Sequence, residues 1–513
     1  MARHRSPLGV FVGVAAAYAV AWGLVLAGRA WQRPVRLETA RPSFLHDEFV
    51  EIRLRTRDGT LRRRWTERPP GVSVHKDGRL VTTIAGITRL DLAWDDGERA
   101  FVARWPCPWN AEPGGYELQL SDAGELGDRL VSRTFEIRRR VPRALPPGFV
   151  ALTLETKEPL GSMKVIGPDG KEKGWRGLLD WAEYLEADAF WMLVGETPGG
   201  RAGEIWRTEN LPLVPKVAEE CRKRRLALGV YAMNYLTTSR ERLPRYEYAW
   251  DVEEGKPKIT RAISLRDPRR PDDVGALLKD LAKIPGVEHV GLDYIRNALG
   301  GYELVDDFFA EMPGVAPPPE WPQLTLDEKM VWFHRKKVMR KDLAFVDAWQ
   351  WWRAHRVGAI VRRIRAAVPD KALWAFTLTW DKGWNHGQDV VMMNDAGVDA
   401  DALMLYEADD AQFEQILRSF HGYVKRSDSQ LVVGEIVDWP LHQRSRKGPA
   451  VLERRLGQAI DRIYADGEPP AGLFIHDVSR ALWGRLGPFK TKQWMDAARG
   501  AVRQLRSRRG RMT

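Results

Sequence analysis

From Gly148 onward the chain repeats one rhythm, a short apolar run followed by an amphipathic stretch. The runs are "FVALTLET", "AFWMLVGET", "LALGVYAMNY", "VGLDYIR", "LWAFTLTWD", "ALMLYEA", "LVVGEIVDW" and "GLFIHDVSR". Near-continuous apolar runs of this length read as strands buried on both faces, which is the mark of a parallel sheet. Between them lie stretches such as "WRGLLDWAEYLEA", "VGAIVRRIRAAV" and "LERRLGQAIDRIYADG", apolar at helical spacing. Eight strands alternating with helices predict an α/β fold, a (β/α)8 TIM barrel over residues 148–513. An open doubly wound sheet is the competitor, but no glycine-rich phosphate loop follows the first run.

The N-terminal part follows a different pattern. Residues 36–140 alternate apolar and polar positions in "EFVEIRLRT", "RLVTTIAG", "RAFVARW" and "GYELQLSD", with turns expected at "RDGT", "KDGR", "DDGE" and "EPGG". That spacing predicts a small immunoglobulin-like β-sandwich. "PWNAEPGGYELQL" resembles the late hairpin of bacterial domains of that type. Prolines and arginines around residues 141–147 mark a linker.

Ahead of the sandwich, residues 1–35 place Arg3 and Arg5 before an apolar run from Leu8 to Ala27. The run is long enough for a signal anchor, and the early cations predict a single-pass protein of the cytoplasmic membrane with its domains on the periplasmic or extracellular side. A cleaved signal is the alternative, although Arg29 spoils the second candidate cleavage site. The only two cysteines, Cys107 and Cys221, fall in different expected domains, so no disulfide framework follows. A net charge of +11 favours acidic surfaces, but no basic run is interleaved with aromatics as in single-strand binders. Nucleic acid is therefore not an expected partner.

In a barrel, chemistry collects where strands end. Glu155, Glu196, Asp293, Asp381, Glu407, Glu435 and Asp438 all stand at or near such ends, with His476 and Asp477 at the last. Asn234 and Tyr235 close the third strand, and Tyr294, Trp380, Tyr406 and Trp439 flank the acids. Aromatic faces stack on sugar C–H surfaces while carboxylates bind hydroxyls and move protons, so the set suits a carbohydrate. Taken singly, each acid also fits a loop anchor or a helix cap. The "WQWW" run at 349–352 reads as helix core, and no spacing matches a zinc site. Neither a metal nor a cofactor is expected.

The fourth strand, "LDYIRNALGG", and the helix and strand after it, "AWQWWRAHRVGAIVRRIRAAVPDKALWAFTLTW", resemble the glycosyl-hydrolase-like barrel proteins of bacteria, members of which cut polysaccharide or peptidoglycan glycan chains. "VDADALMLYEAD" and "GLFIHDVSR" are similar to that family's sixth and closing strands. The resemblance implies a glycoside hydrolase acting on a polysaccharide or a cell-wall glycan.

Such hydrolysis needs one ionised and one protonated carboxyl. Asp293 is the expected ionised partner, with Arg296 able to favour its charge if the side chain reaches back. The expected proton donor is Glu435, set among apolar neighbours, followed by Glu407. Glu155, Glu196, Asn234, Tyr235, Tyr294, Arg296, Trp380, Asp381, Tyr406, Trp439, His476 and Asp477 are assigned to substrate binding. The long segment from Asn297 to Asp327 is expected to cover the mouth, and the protein is expected to be a monomer. The alternatives are a non-catalytic carbohydrate-binding scaffold with a degenerate barrel, and a barrel enzyme of other chemistry such as a deacetylase or lyase.

Overall fold

The computed structural model describes residues 35–121, 131–156, 158–198, 203–239, 241–296, 299–405, 409–425, 429–437, 448–465, 471–484 and 488–509. The expected anchor from Leu8 to Ala27 lies outside them. No helix among the described residues is long and apolar enough to cross a membrane. The chain divides into two compact units, the second holding Arg138–Thr513 with two short segments, Leu45–Glu48 and Cys107–Glu112.

The first unit is built from two sheets. Strands β1 (Val35–Thr39), β2 (Ser43–Leu45), β3 (Phe49–Thr56), β4 (Gly71–Lys76), β5 (Arg79–Val81), β6 (Leu90–Asp91), β7 (Ala93–Asp95), β8 (Ala100–Pro106), β9 (Gly114–Leu120) and β10 (Ser132–Arg138) form them. One sheet has the order β1-β3-β8-β7, the other β2-β10-β9-β4-β5 with β6 beside β4. Trp105 of the first sheet meets Phe135 of the second edge-on at 5.9 Å, so the apolar faces of the two sheets are packed together. The expected turn at "RDGT" is instead a helix start. Asp58 accepts hydrogen bonds from the amides of Thr60 and Leu61 and caps α1 (Gly59–Glu67). Leu61 and Trp65, four residues apart, bury one face of that helix, and local turn chemistry yields to it.

The second unit contains a closed barrel of eight parallel strands. They are β11 (Phe149–Leu154), β12 (Ala189–Thr197), β13 (Ala227–Thr237), β16 (Val287–Asp293), β17 (Ala372–Leu378), β18 (Ala400–Met404), β19 (Leu431–Ile436) and β20 (Gly472–His476). Each pairs with its neighbours in chain order, and β20 returns to β11. The barrel bears out the fold read from the eight apolar runs. Its interior is filled by rings. Trp191 stacks on Trp374 with centroids 4.0 Å apart, and Phe149, Tyr231, Phe376 and Phe474 complete the packing. Glycines make the room: a Cβ at Gly229 would stand 2.2 Å from Trp191, one at Gly291 2.3 Å from Trp374, and one at Gly434 2.1 Å from Phe474. These three positions fix which residues of β16 and β19, and of β13 as far as Met233, face inward.

The helices of the unit are α2 (Arg176–Tyr184), α3 (Val214–Lys223), α4 (Arg270–Ala282), α5 (Val305–Glu311), α6 (Leu326–Val338), α7 (Leu343–Ala367), α8 (Val390–Ala396), α9 (Asp410–Lys425), α10 (Pro449–Ile463), α11 (Val478–Trp483) and α12 (Thr491–Arg509). Trp349, Trp351 and Trp352 of α7 are buried, which explains the "WQWW" run as helix core. Two insertions were not foreseen in detail. A hairpin of β14 (Tyr248–Glu253) and β15 (Lys256–Ile263) follows β13, tied by Glu303, which accepts from the Trp250 amide at 2.8 Å and the Ser264 hydroxyl at 2.7 Å. The segment after β16 is not a bare loop: it carries α5 and α6, packed through Phe308, Phe309 and Phe333.

Candidate active site

The inward face of β16 runs His289, Gly291, Asp293, because Gly291 lies under the Trp374 ring. Asp293 therefore ends the strand facing the barrel axis, and it is buried at 3% exposure. Its carboxylate accepts from the Tyr294 amide at 2.8 Å. Burial is the largest influence on it and outweighs the charge of Arg296, so its pKa is pushed up to about 7. Arg296 does favour the ionised form, as expected, but its guanidinium lies over the Tyr294 ring at 4.4 Å. Asp293 is thus a group that ionises near neutrality, not a permanently charged one.

Glu155 follows β11 at the same parity as Phe149 and Ala151, which line the core. Burial, then the charges of Asp293 and Asp477, hold its carboxyl well above the ordinary range. Glu196 also acts on both Glu155 and Asp293. A register shift in β12 between Leu193 and Gly195 turns it toward them. Leu193 belongs to the interior, whereas a Cβ on Gly195 would meet Leu277 of α4 outside, so the next residue comes back to the axis. Asn234 completes this side. Its amide donates to the Asp293 carbonyl at 2.8 Å, and its own carbonyl oxygen, fully buried, has no hydrogen-bond partner among the described residues.

The last strand closes the group. His476 Nδ1 lies 3.2 Å from the Thr153 hydroxyl, which donates to the Ile475 carbonyl. A ring protonated on Nδ1 would donate to that hydroxyl and leave Nε2 as the acceptor nitrogen. Nε2 lies 3.6 Å from Glu155 Oε2 and 3.7 Å from Asp477 Oδ2. Burial and Arg480 lower the His476 pKa to about 3, so these contacts involve a neutral ring and are not ion pairs. Asp477 caps α11 by accepting from the Arg480 amide at 3.1 Å, and burial raises its pKa to about 6. Four carboxyls from β11, β12, β16 and the end of β20 thus stand in electrostatic contact over a floor of rings, with Phe376 5.8 Å from His476.

Three expectations are corrected. Glu435 is not at the mouth. Gly434 faces inward against Phe474, so the neighbouring Glu435 points outward to α10, where Arg455 donates to its carboxylate. An ion pair favours the charged form, which is the opposite of a proton donor. Tyr235 is fully buried and feels the charges of Arg270, Asp267 and Arg363, on the helix side of β13. Asp381 lies in the 3-10 segment Trp380–His386, beyond the strand alternation, with its carboxylate 3.2 Å from Gln350 of α7 and 3.8 Å from Arg340. Nothing places it with Asp293. Tyr406, Glu407, Asp438 and Trp439 lie outside the described residues.

Thr153 and Arg480 were missed. Thr153 is two residues before Glu155 on the same face, and Arg480 is three after the capping Asp477, so both were within reach of parity and capping rules. Among the described residues no group of three or more His, Cys, Asp or Glu is placed to hold a metal ion.

No protein-family model matches the chain, and no curated protein does. Among solved structures the chain is similar to the β-galactosidase of the psychrophilic Marinomonas ef1, at 11% identity over 70% of this chain and 59% of that one, with a TM-score of 0.42. It is similar to the β-galactosidase of the Antarctic haloarchaeon Halorubrum lacusprofundi at 10% identity over 70% and 58%, with a TM-score of 0.42. The endo-β-N-acetylglucosaminidase of Cordyceps militaris aligns at 10% identity over 70% and 91%, with a TM-score of 0.33. The chain spans less than two thirds of the length of the two β-galactosidases. At these identities the likeness speaks to fold alone and adds nothing to the closed barrel already described.

Proposed function

We propose that the barrel is a glycoside hydrolase acting on a polysaccharide or cell-wall glycan, with Glu155 as proton donor and Asp293 as the base or nucleophile. The observation that carries this is the unequal pair. Both carboxyls are raised chiefly by burial, Glu155 well above its ordinary value with the charge of Asp293 adding to the effect, and Asp293 to about 7 with the charge of Glu196 adding to it. Near neutral pH such a pair holds one proton and one charge, the division of labour that glycosidic cleavage needs. The neutral His476 ring, with Nε2 3.6 Å from Glu155 Oε2, adds no positive charge that would draw the proton off Glu155. Glu196, whose charge acts on both acids, and the buried Asn234 carbonyl oxygen are suited to sugar hydroxyls.

In this reading the first unit is an immunoglobulin-like spacer or glycan-contacting module, and the Leu8–Ala27 run holds the protein at the outer face of the cytoplasmic membrane. The activity is tested by incubating the full chain with a panel of cell-wall and exopolysaccharide glycans and measuring released reducing ends. Release by the wild type that Glu155→Gln abolishes supports the reading. Release that Glu155→Gln leaves unchanged removes Glu155 from the chemistry.

A further inference from the structure

The insertion between β16 and α7 carries a surface that the chemistry of the mouth does not use. Of the nine large apolar side chains exposed among the described residues, four (Leu299, Leu326, Val338 and Met339) belong to this one segment and a fifth, Leu343, opens α7. Val338 and Met339, at 59% and 58% exposure, sit where α6 ends, and Leu343, at 59%, begins α7. One face of α6 opens onto a groove of about 650 Å3 whose apolar wall is Leu324, Val331, Trp332 and Met339. Residues 328, 332, 335 and 339 recur at helical spacing, so the groove is an uncovered stripe of the helix.

The groove's lining holds three acids and three cations, but the acids are engaged locally. Glu328 is bound to its own helix start by the Thr325 capping box, and Asp327 sits in the first turn, where the helix dipole favours an acid. Asp342 caps α7 through the Phe345 amide and pairs with Lys336 at 3.2 Å. Lys337 turns inward to the Leu299 carbonyl. Arg335 and Lys341 are then left on the rim with no ion pair among the described residues, and Arg340 is 3.8 Å from Asp381. The run from Arg335 to Lys341 holds five basic residues and no acid, in a chain of net charge +11.

We propose that this face docks on an anionic phospholipid surface, with Val338, Met339 and Leu343 entering the acyl boundary and Arg335, Arg340 and Lys341 meeting headgroup phosphates. Exposed aliphatic side chains beside unpaired cations at a helix end match the layered chemistry of a bilayer interface. A hydroxylated glycan offers those aliphatic groups no burial.

The test uses the full chain with one fluorophore. Cys107 and Cys221 are both buried, so in Met339→Cys an environment-sensitive thiol label goes to the groove alone. The protein is mixed with vesicles of phosphatidylcholine, or of phosphatidylcholine with phosphatidylglycerol, each with and without nitroxide lipid. The expected result is a blue shift and nitroxide quenching at residue 339 on the anionic vesicles only. Replacing Arg335 and Lys341 together by alanine should weaken that response, by about five-fold for each cation lost. A label that stays in water on anionic vesicles overturns the proposal, even if the apolar N-terminal run binds them. Equal responses on both lipids, or a shift that grows with protein concentration in the absence of vesicles, overturn it too, the latter in favour of self-association. None of these outcomes depends on glycan cleavage.

Discussion

His476 Nε2 lies 3.6 Å from Glu155 Oε2, while Thr153 holds the other ring nitrogen at 3.2 Å. With its pKa lowered to about 3, the ring is neutral throughout the physiological range. A histidine depressed below its unfolded value adds stability that is present above roughly pH 6.5 and is lost as pH falls toward the folded value. The expected outcome is an imidazole that keeps one tautomer, protonated on Nδ1, from neutral down to mildly acid pH, read by nitrogen-edited NMR of the histidine side chains. A His476 signal titrating near its ordinary value would contradict a buried, neutral ring beside Glu155.

Acid assistance has its own signature. If Glu155 delivers the proton to the leaving oxygen, Glu155→Gln should slow cleavage of an ordinary glycosidic bond by roughly 10²–10⁴-fold. The loss should shrink sharply with a dinitrophenyl glycoside, whose leaving group needs no proton. Equal losses on both substrates would assign Glu155 to binding instead.

Glu435 and Arg455 make the opposite prediction. The pair is buried between β19 and α10, and Arg455 also donates to the Leu405 carbonyl at 2.7 Å. Arg455→Met should cost about 3–5 kcal/mol of stability, because it strands a buried carboxylate. Adding Glu435→Gln should recover part of that loss, and activity per folded molecule should hardly change. Denaturant melts and turnover normalised to folded protein check both halves. Turnover lost without stability lost would return Glu435 to the chemistry.

The difference between Asp293 and Glu435 shows how far the sequence could be read. Eight apolar runs were enough for the barrel, since burial on both faces leaves little else for such strands to do. One parity rule then sorts both acids: Gly291 and Asp293 share a face, whereas Gly434 and Glu435 do not. Apolar flanks alone suggested a raised pKa for Glu435, but its partner stands twenty residues on, across a helix that only the packed fold brings close. Glu196 escaped the rule because a bulge in β12 resets the alternation, and Asp381 because the backbone leaves the extended region after Leu378. The β14–β15 hairpin was legible in principle, as "WDVEEGKPKIT" alternates about a glycine turn.

Asp293 also ties stability to pH. An acid whose folded pKa is raised to about 7 from 3.8 keeps its proton in the fold while the unfolded chain has lost it. Its stabilising contribution is therefore complete below roughly pH 4 and declines as pH rises through neutrality, by up to about 4 kcal/mol. Asp293→Asn should melt higher than the wild type at mildly alkaline pH, with the gap closing in acid. A variant less stable at every pH would make Asp293 a structural anchor.

Turnover by Asp293→Asn, per folded molecule and on whichever glycan the wild type cleaves, tests the central claim most directly. The account predicts a loss of at least about a thousand-fold in kcat with folding intact, since the variant keeps shape and hydrogen bonds but cannot carry the charge. Wild-type turnover in the folded variant would contradict it.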